Sequence, residues 1–500
     1  MNLATLAERS KDAFGTFDFL IFEGKHYSNE DMVRLSRQSA NAMRTLGLKS
    51  SERALVLLPN CPQVLIAYLG LLRLGAIVVP VNGSIGPLEL GHIIRDSKPA
   101  AVITSERFLG VINGVAKSAG GRHIILIDNP NLKDTLFFDD LIAGVSETFD
   151  TAGTADDEVA VVLYTAGTTG TPKGVMLTHG NLYSNAEAAS RLADNLGQIA
   201  LGVLPLSHSY GFTVMNTSFL TCTTVVLMRA YDTEQAFKLI EKHRVSQLSA
   251  VPTILHMMLT HPDADKYDLS SLETVGCGAA PLPAELLQAF IRRFHCEVRE
   301  GYGLSEAAPI VSAHRPGRSI KPGSVGEPLP GVSVRIVDKE GKDLAVGEIG
   351  ELLVSGPNVM KGYYGLPEDS AKALRDGWLY TGDMARQDAD GYLYLVERKK
   401  DLILRGGFNI YPGEVEQIIS QHPAVLEVAV IGVPDAVFGE EVAAVVVLKQ
   451  GKILTEEELM NFCQARLARN KSPRHVHFVS ELPKNALGKM MRKELRKRFG

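Results

Sequence analysis

Glu158-Val-Ala-Val-Val-Leu163 runs directly into Tyr164-Thr-Ala-Gly-Thr-Thr-Gly-Thr-Pro-Lys-Gly174, an apolar stretch followed by a polar turn of glycine, hydroxyl and one lysine. The apolar stretch reads as a buried strand. In the turn, Gly167, Gly170 and Gly174 permit backbone shapes closed to other residues and let main-chain N–H groups approach an anion. Thr165, Thr168, Thr169 and Thr171 add hydroxyl donors, and Lys173 adds a point charge. A strand feeding such a loop predicts a phosphate site, and five threonine or lysine donors among eleven residues suit a triphosphate. The P-loop pattern is not met, because proline precedes the lysine and glycine follows it. Nucleotide chemistry of another kind is expected, and the competing reading is a surface turn between that strand and a helix near Asn181.

Around that centre, 500 residues exceed one ordinary core, so two or more domains are expected. Hydrophobic residues make up 45% and charged ones 22%, ordinary globular proportions. A net charge of -5 gives no electrostatic case for nucleic acid as a partner, which leaves small-molecule chemistry. The five cysteines, Cys61, Cys222, Cys277, Cys296 and Cys463, lack the paired spacing of a zinc site or a disulfide framework. Reduced thiols in a cytoplasmic protein fit that scatter. The first ten residues carry acid and base early without a sustained apolar run, so no signal peptide is expected. Val64 to Val81, the longest apolar region, is interrupted by Arg73 and Gly75 and divides into a helix and a strand, so no transmembrane segment is expected.

Residues 1–150 alternate short apolar runs with amphipathic stretches. Ser28 and Asp31 form a capping pair before a helix whose apolar positions include Met32, Leu35, Met43 and Leu46. Ala54–Leu58, Ala76–Val79, Ala101–Thr104 and His123–Ile127 read as strands, and strand–helix alternation implies a parallel sheet covered on both faces. The pattern repeats after the glycine loop, with strands at Ala200–Leu204, Thr224–Leu227, Gln247–Val251 and Glu297–Glu300 and helices at Thr233–Arg244 and Pro283–Arg293. From about Pro316 glycine turns and short alternating strands predict a small antiparallel or barrel-like piece. After Lys400 a smaller α+β pattern begins: a helix after Pro412, strands at Val425–Val433 and Val442–Leu448, and a helix from Thr455. The expected fold class is α/β: a large N-terminal domain over 1–399 made of two doubly wound sheets plus the barrel-like piece, then a small mobile α+β domain over 400–500.

Four further stretches stand in a set order with the loop: Leu204-Pro-Leu-Ser-His-Ser-Tyr-Gly211, Gly301-Tyr-Gly-Leu-Ser-Glu306, Tyr380-Thr-Gly-Asp383 with Glu397-Arg398, and Leu482-Pro-Lys-Asn-Ala-Leu-Gly-Lys489. Together they resemble the adenylate-forming superfamily of acyl-CoA synthetases, peptide-synthetase adenylation domains and luciferases, over essentially the whole chain. The resemblance implies an enzyme that joins a carboxylate to AMP, releases pyrophosphate and passes the acyl group to a thiol, with ATP, Mg2+ and coenzyme A as cofactor and co-substrates. Glu306 matches the acidic ligand for Mg2+, a hard cation suited to carboxylate oxygen. Asp383 would accept both ribose hydroxyls, with Arg398 supporting the same sugar. Tyr302 would stack on adenine, the Gly278-Ala279-Ala280 turn would let the purine lie against backbone, and Glu300, Gly301 and Ser305 count as further nucleotide neighbours. Ser305 stands where the family commonly has threonine. Thr165 joins the catalytic group from the loop.

By the same resemblance His208 would lie between the carboxylate and the thiol channel, and Tyr210, Gly211, Gly301 and Gly303 would line the acyl pocket. Lys489 matches the adenylation lysine; read alone, it opens a basic tail to Arg498 that would be a solvated helix face. Since that lysine must leave before a thiol enters, Lys400 would be the hinge of a moving small domain, bringing Gly406, Gly407, Phe408 and Asn409 to the coenzyme A side. The function expected is an AMP-forming acyl-CoA synthetase. A stand-alone enzyme loading a carrier-protein phosphopantetheine, and a non-catalytic nucleotide-binding relative, remain as alternatives. Gly303 and Gly301 supply neither a bulky aromatic nor a cation, which implies an uncharged acyl tail of medium or greater length, or an aryl acid. Peripheral membrane contact and homo-oligomerisation stay open.

Overall fold

Runs such as Leu55-Val-Leu57 and Val78-Val79 are apolar on successive residues because both faces of their sheet are covered, and they pair in parallel at the centre of one sheet. The computed structural model divides the chain into two units, Met1–Val334 with Val354–Leu379, and Arg335–Leu353 with Tyr380–Gly500. It describes residues 1–116, 121–165, 172–406, 408–484 and 490–500, with the side chains at 114–116, 400 and 409 excepted. Gly167, Thr168, Thr169, Gly170, Thr171, Gly407 and Lys489 thus lie outside the described residues, as do the side chains of Lys400 and Asn409.

In the first unit, an eight-stranded sheet has the order Gly362–Tyr363, Lys173–Thr178, Val159–Thr165, Ile77–Val81, Arg53–Leu57, Ala101–Thr104, His123–Leu126, Leu136–Phe137. Its strands are parallel from Val159–Thr165 onward. The glycine loop does not lead into a helix. It closes a hairpin, with Thr165 opposite Lys173, and the returning strand Lys173–Thr178 is antiparallel. The helix follows at His179–Ser190, entered through a Thr178/Asn181 capping box. The nine-stranded sheet runs Glu327–Pro328, Ile310–Ala313, Glu297–Gly303, Thr274–Cys277, Gln247–Ala250, Ile199–Gly202, Thr224–Leu227, Asp18–Phe22, Lys25–Ser28. Its centre is parallel and both edges are antiparallel. The α/β class holds as expected, while these antiparallel edges go beyond a purely parallel reading.

Val64–Val81 divides as its Arg73 and Gly75 imply, into the helix Pro62–Arg73 and the strand Ile77–Val81. Arg73 is fully buried and pairs with Glu8 at 2.7 Å while donating from Nε to Ser36 Oγ at 2.8 Å. The Ser28/Asp31 capping box opens the helix Asn29–Thr45. In the second unit, the half Asp383–Gln387 of the strand Trp378–Gln387 pairs with Leu393–Arg398, placing Asp383 opposite Arg398. Beyond it, Ile403–Arg405, Phe408–Ile410, Val425–Asp435 and Gly439–Leu448 pair antiparallel, and His475–Phe478 adds in parallel. Helices Pro412–Ser420 and Glu456–Gln464 share an apolar core with one side of this sheet, and Arg492–Phe499 packs through Leu495 on the other. Among the described residues no helix is long and apolar enough to cross a membrane.

Candidate active site

Ligands of wound sheets bind beyond the carboxyl ends of the strands, and that is where the motif residues of the first unit collect. Cys277 and Glu300 are register partners on adjacent parallel strands. Their strands continue into Gly278-Ala279-Ala280 and Gly301-Tyr302-Gly303. Gly278 donates its N–H to Ala250 O at 3.2 Å, and a Cβ there would stand 3.3 Å from Gly301 O. Ala279 has φ +70°, a left-handed shape usually left to glycine, and such strain gathers at ligand sites. Tyr302 is 8% exposed. Glu300 is buried too, and burial pushes its carboxyl up to about 7; its main-chain carbonyl lies 3.0 Å from His314 Nδ1.

The Leu204–Gly211 stretch is held from two sides. Asn60, buried, donates to Leu204 O at 3.0 Å and accepts from Leu206 N at 2.9 Å. His208 is the N-cap of the helix Ser209–Leu220: its Nδ1 accepts from Tyr210 N at 3.2 Å. That bond makes Nδ1 the acceptor, so the neutral ring carries its proton on Nε2. The Tyr210 hydroxyl bonds Ser249 beneath Gly276, where burial pushes the phenol well above its ordinary range. Gly211 and Gly303 have steric reasons of their own. A Cβ would lie 2.3 Å from Pro205 O at the first and 2.5 Å from Pro309 O at the second. Close backbone approach by itself therefore accounts for the missing side chain at 303, independently of pocket width.

Ser209 Oγ lies 3.3 Å from Ser305 Oγ, and Thr213 Oγ1 donates to Ala308 O at 2.9 Å, which ties that helix to the turn carrying Glu306. The main-chain carbonyl of Glu306 accepts from Met360 N at 2.8 Å, and its Oε1 accepts from the Tyr363 hydroxyl at 2.9 Å. Burial, then the Glu306 carboxylate, pushes the Tyr363 phenol far up, so it stays a donor. Over the same ring, Lys173 Nζ lies 5.2 Å from the centroid and pairs with Asp369 at 2.7 Å. One tyrosine thus touches both the lysine of the glycine loop and the carboxylate expected to hold metal. Tyr363 and Asp369 were not among the expected site residues. Gly174 is required by packing, since a Cβ would stand 2.7 Å from Val162 Cγ1 and 3.2 Å from the Tyr164 ring.

In the second unit Asp383 and Arg398 face each other across their strands, with Arg398 Nε 3.3 Å from Asp383 Oδ1 and the aspartate 6% exposed. The Asp383 N–H donates to Thr381 Oγ1 at 3.1 Å, and Thr381 donates to Leu352 O at 2.7 Å. Glu351, a buried acid on the strand Gly350–Ser355, accepts from Gly382 N at 3.3 Å and pairs with Lys399 at 2.7 Å. Gly406 has φ +55° and donates its N–H to Phe438 O at 2.8 Å, while Phe408 beside it is largely exposed.

Two wound sheets whose strand ends gather a hydroxyl–lysine hairpin, an oriented carboxylate and a small-residue turn, followed by a smaller α+β domain, define the adenylate-forming class. The chain belongs to the family of AMP-binding enzymes: residues 7–364 match the AMP-binding enzyme family and residues 414–489 the AMP-binding enzyme C-terminal domain. It is 38% identical to a long-chain-fatty-acid–CoA ligase of Bacillus subtilis (strain 168), covering 95% of this chain and 90% of that one. It is 39% identical to a feruloyl-CoA synthase of an Amycolatopsis species, over 94% and 93%. Among solved structures, ATP-bound MatB from Rhodopseudomonas palustris superposes with a TM-score of 0.93 at 32% identity, covering 100% of this chain and 99% of that one.

Proposed function

We propose that this chain, an acid–thiol ligase of the AMP-forming class, activates a free carboxylic acid with ATP and transfers the acyl group to coenzyme A. A carboxylate oxygen attacks the α-phosphorus of ATP, and the new O–P bond displaces pyrophosphate to leave acyl-AMP. A thiolate sulfur then attacks the acyl carbon, the thiol proton having passed to solvent, and the carbon–oxygen bond breaks with its electron pair on AMP. The first step brings anions together, so its barrier is largely electrostatic.

The observation that carries this reading is the chain Asp369–Lys173–Tyr363–Glu306, with a cation over the ring of one tyrosine and a carboxylate on its hydroxyl. Lys173 would meet phosphate oxygens at the end of the loop that includes Thr165, Thr168, Thr169 and Thr171, and Asp369 aims it. Tyr363 fixes the direction of Glu306. A hard carboxylate oxygen set beside a phosphate-binding lysine fits Mg2+, which when bound supplies neutralising charge at the phosphates. Tyr302, Glu300 and the Gly278–Ala280 turn would take the adenine, and Asp383 with Arg398 the ribose. Lys489 would bridge carboxylate and α-phosphate. A cation that arrives only for that encounter stabilises the transition state preferentially. His208, Tyr210, Gly211, Gly301 and Gly303 would border the acyl group.

The hinge proposed at Lys400 has support in its neighbours. Lys399 is anchored to Glu351, ahead of the hinge in sequence, and Asp401 to Arg496, after it, at 3.2 Å. The acid is proposed to be a fatty or aryl acid with an extended apolar body. Relatives named for a long-chain fatty acid and for feruloyl-CoA support this, and each buried methylene adds about 0.8 kcal/mol of binding. Carboxylate-dependent ATP–pyrophosphate exchange, then thioester formation on coenzyme A and on a phosphopantetheinyl carrier, measured over acids of varied length and ring content, tests the reading. Nucleotide binding without acid-dependent exchange defeats it, and turnover on the carrier alone reassigns the acceptor.

A further inference from the structure

Glu397 is a buried carboxylate, 7% exposed, at the end of the strand Leu393–Arg398. Its Oε1 accepts from Arg398 N at 3.0 Å, and its Oε2 accepts from Gly413 N at 3.1 Å. Gly413 lies in the first turn of the helix Pro412–Ser420, where N–H groups have no partner within the helix and an anion is favoured. Arg492 Nη1 stands 3.6 Å from Glu397 Oε1, while Arg492 Nη2 reaches both oxygens of Glu416, at 2.8 and 2.9 Å. Arg496, one turn further along the C-terminal helix, pairs with Asp401 at 3.2 Å. The basic stretch after Lys489 is thus no solvated face on this side. Two of its arginines are partly buried against three carboxylates.

The order of these residues in the chain divides the contacts into two kinds. Arg492–Glu416 and Arg496–Asp401 join residues that all follow Lys400, so a rotation of the chain about Lys400 leaves them intact. Glu397 precedes Lys400, while Gly413 and Arg492 follow it, so Glu397–Gly413 and Glu397–Arg492 must part in such a rotation. We infer that Glu397 is a positioning residue, a latch that holds one of the two orientations of the small domain through the Gly413 N–H and the Arg492 guanidinium. The inference rests on the two-step reading with its hinge at Lys400. Burial raises the Glu397 carboxyl above its ordinary value, with Arg492 opposing and Glu416 and Asp401 adding to the rise. The Arg492 guanidinium, whose charge favours the ionised carboxylate, is among the contacts that motion would break.

Two variants approach the latch from opposite sides. Glu397→Gln removes the charge that Arg492 meets, and Arg492→Lys removes the planar fork without touching Arg398. For each, acid-dependent ATP–pyrophosphate exchange reports the first half-reaction, and single-turnover thioester formation from supplied acyl-AMP and coenzyme A reports the second. A latch on one orientation predicts that the ratio of the two rates shifts by about tenfold or more, the size set by losing a hydrogen bond to a charged group, and shifts the same way in both variants. A merely structural role lowers both half-reactions together and leaves the ratio at its wild-type value, which overturns the latch. Should Glu397→Gln not accumulate as folded protein, Arg492→Lys alone decides by the same ratio. Lys489→Ala, measured alongside, separates the failures. If it spares the second half-reaction while the latch variants leave the ratio unmoved, only the latch falls; if it lowers both steps equally, the two-step reading falls and takes the latch with it.

Discussion

Glu300→Gln should stabilise the protein, and increasingly so as the pH rises. Glu300 is buried, and burial is what raises its carboxyl from 4.5 to about 7. A carboxyl whose folded value is raised favours folding below 4.5, and that contribution is lost as pH climbs through 7. The gap corresponds to about 3 kcal/mol against the folded state by pH 8.5, and to under about 1 kcal/mol at pH 5. Glutamine has nearly the same shape and does not titrate. The stability of Glu300→Gln minus that of the wild type should therefore grow by about 2 kcal/mol or more between pH 5 and 8.5. The neighbours do not imitate this. Burial, helped by the Glu300 charge, pushes the Cys277 thiol up to about 12, and burial lowers the His314 imidazole, so both stay neutral between pH 7 and 8.5 in the folded state. The chain has a single tryptophan, Trp378, in the same unit as Glu300, so urea unfolding followed by its fluorescence reads the right region. A difference that stays flat over this range, or grows toward acid, refutes the assignment of a protonated buried glutamate.

Tyr363→Phe removes a donor from a charged acceptor, a loss of about 1.5–3 kcal/mol; the melting temperature should fall modestly and acid-dependent pyrophosphate exchange, measured where the variant is still folded, at least tenfold in kcat/KM, and unchanged exchange would separate Tyr363 from the site. Gly303→Ala should destabilise by about 1–3 kcal/mol whichever acid is offered, because its Cβ meets the Pro309 carbonyl at 2.5 Å; a thermal melt checks it, and a stable variant altered only in acid preference would restore the pocket-wall account. Lys489→Ala should nearly abolish adenylate formation yet spare thioester formation from supplied acyl-AMP, and equal loss in the two assays removes the two-orientation account. Lys400→Pro should slow the second half-reaction far more than the first; equal slowing means the hinge lies elsewhere.

The centres of both sheets were legible because a strand buried on two faces must be apolar at every position, whatever lies around it. Ala101–Thr104 and Thr224–Leu227 are strands over the bounds their composition predicts. The antiparallel edges were not, for a reason visible at Lys173. A glycine loop after a strand reads equally as the mouth of a helix or as the tip of a hairpin, and only the pairing of Lys173–Thr178 with Val159–Thr165 decides between them. Thr274–Cys277, no shorter than Ala101–Thr104 or Thr224–Leu227, escaped because Gly276 interrupts its apolar run.

The same division runs through the site. Types that carry their chemistry in a local frame, such as Glu306 after Tyr302-Gly303 or Asp383 after Thr381-Gly382, could be singled out from the sequence. Residues whose part is set by a distant partner could not. Asp369 stands in the first turn of a helix, where an acid is an ordinary favourable choice, and nothing nearby ties it to a lysine far upstream. Arg492 and Arg496 are spaced for one helix face, and a basic face reads as solvated until Glu397, Glu416 and Asp401 are brought beneath it. Arg73, in an otherwise apolar helix, shows how such cases can be suspected. A charge that breaks an apolar pattern without ending the helix must have a partner, because an unpaired buried guanidinium would be prohibitively unfavourable. Sequence can therefore show that a partner exists; only the fold identifies Glu8 as that partner for Arg73, or Glu397 as a carboxylate that Arg492 meets from the far side of Lys400 in the chain.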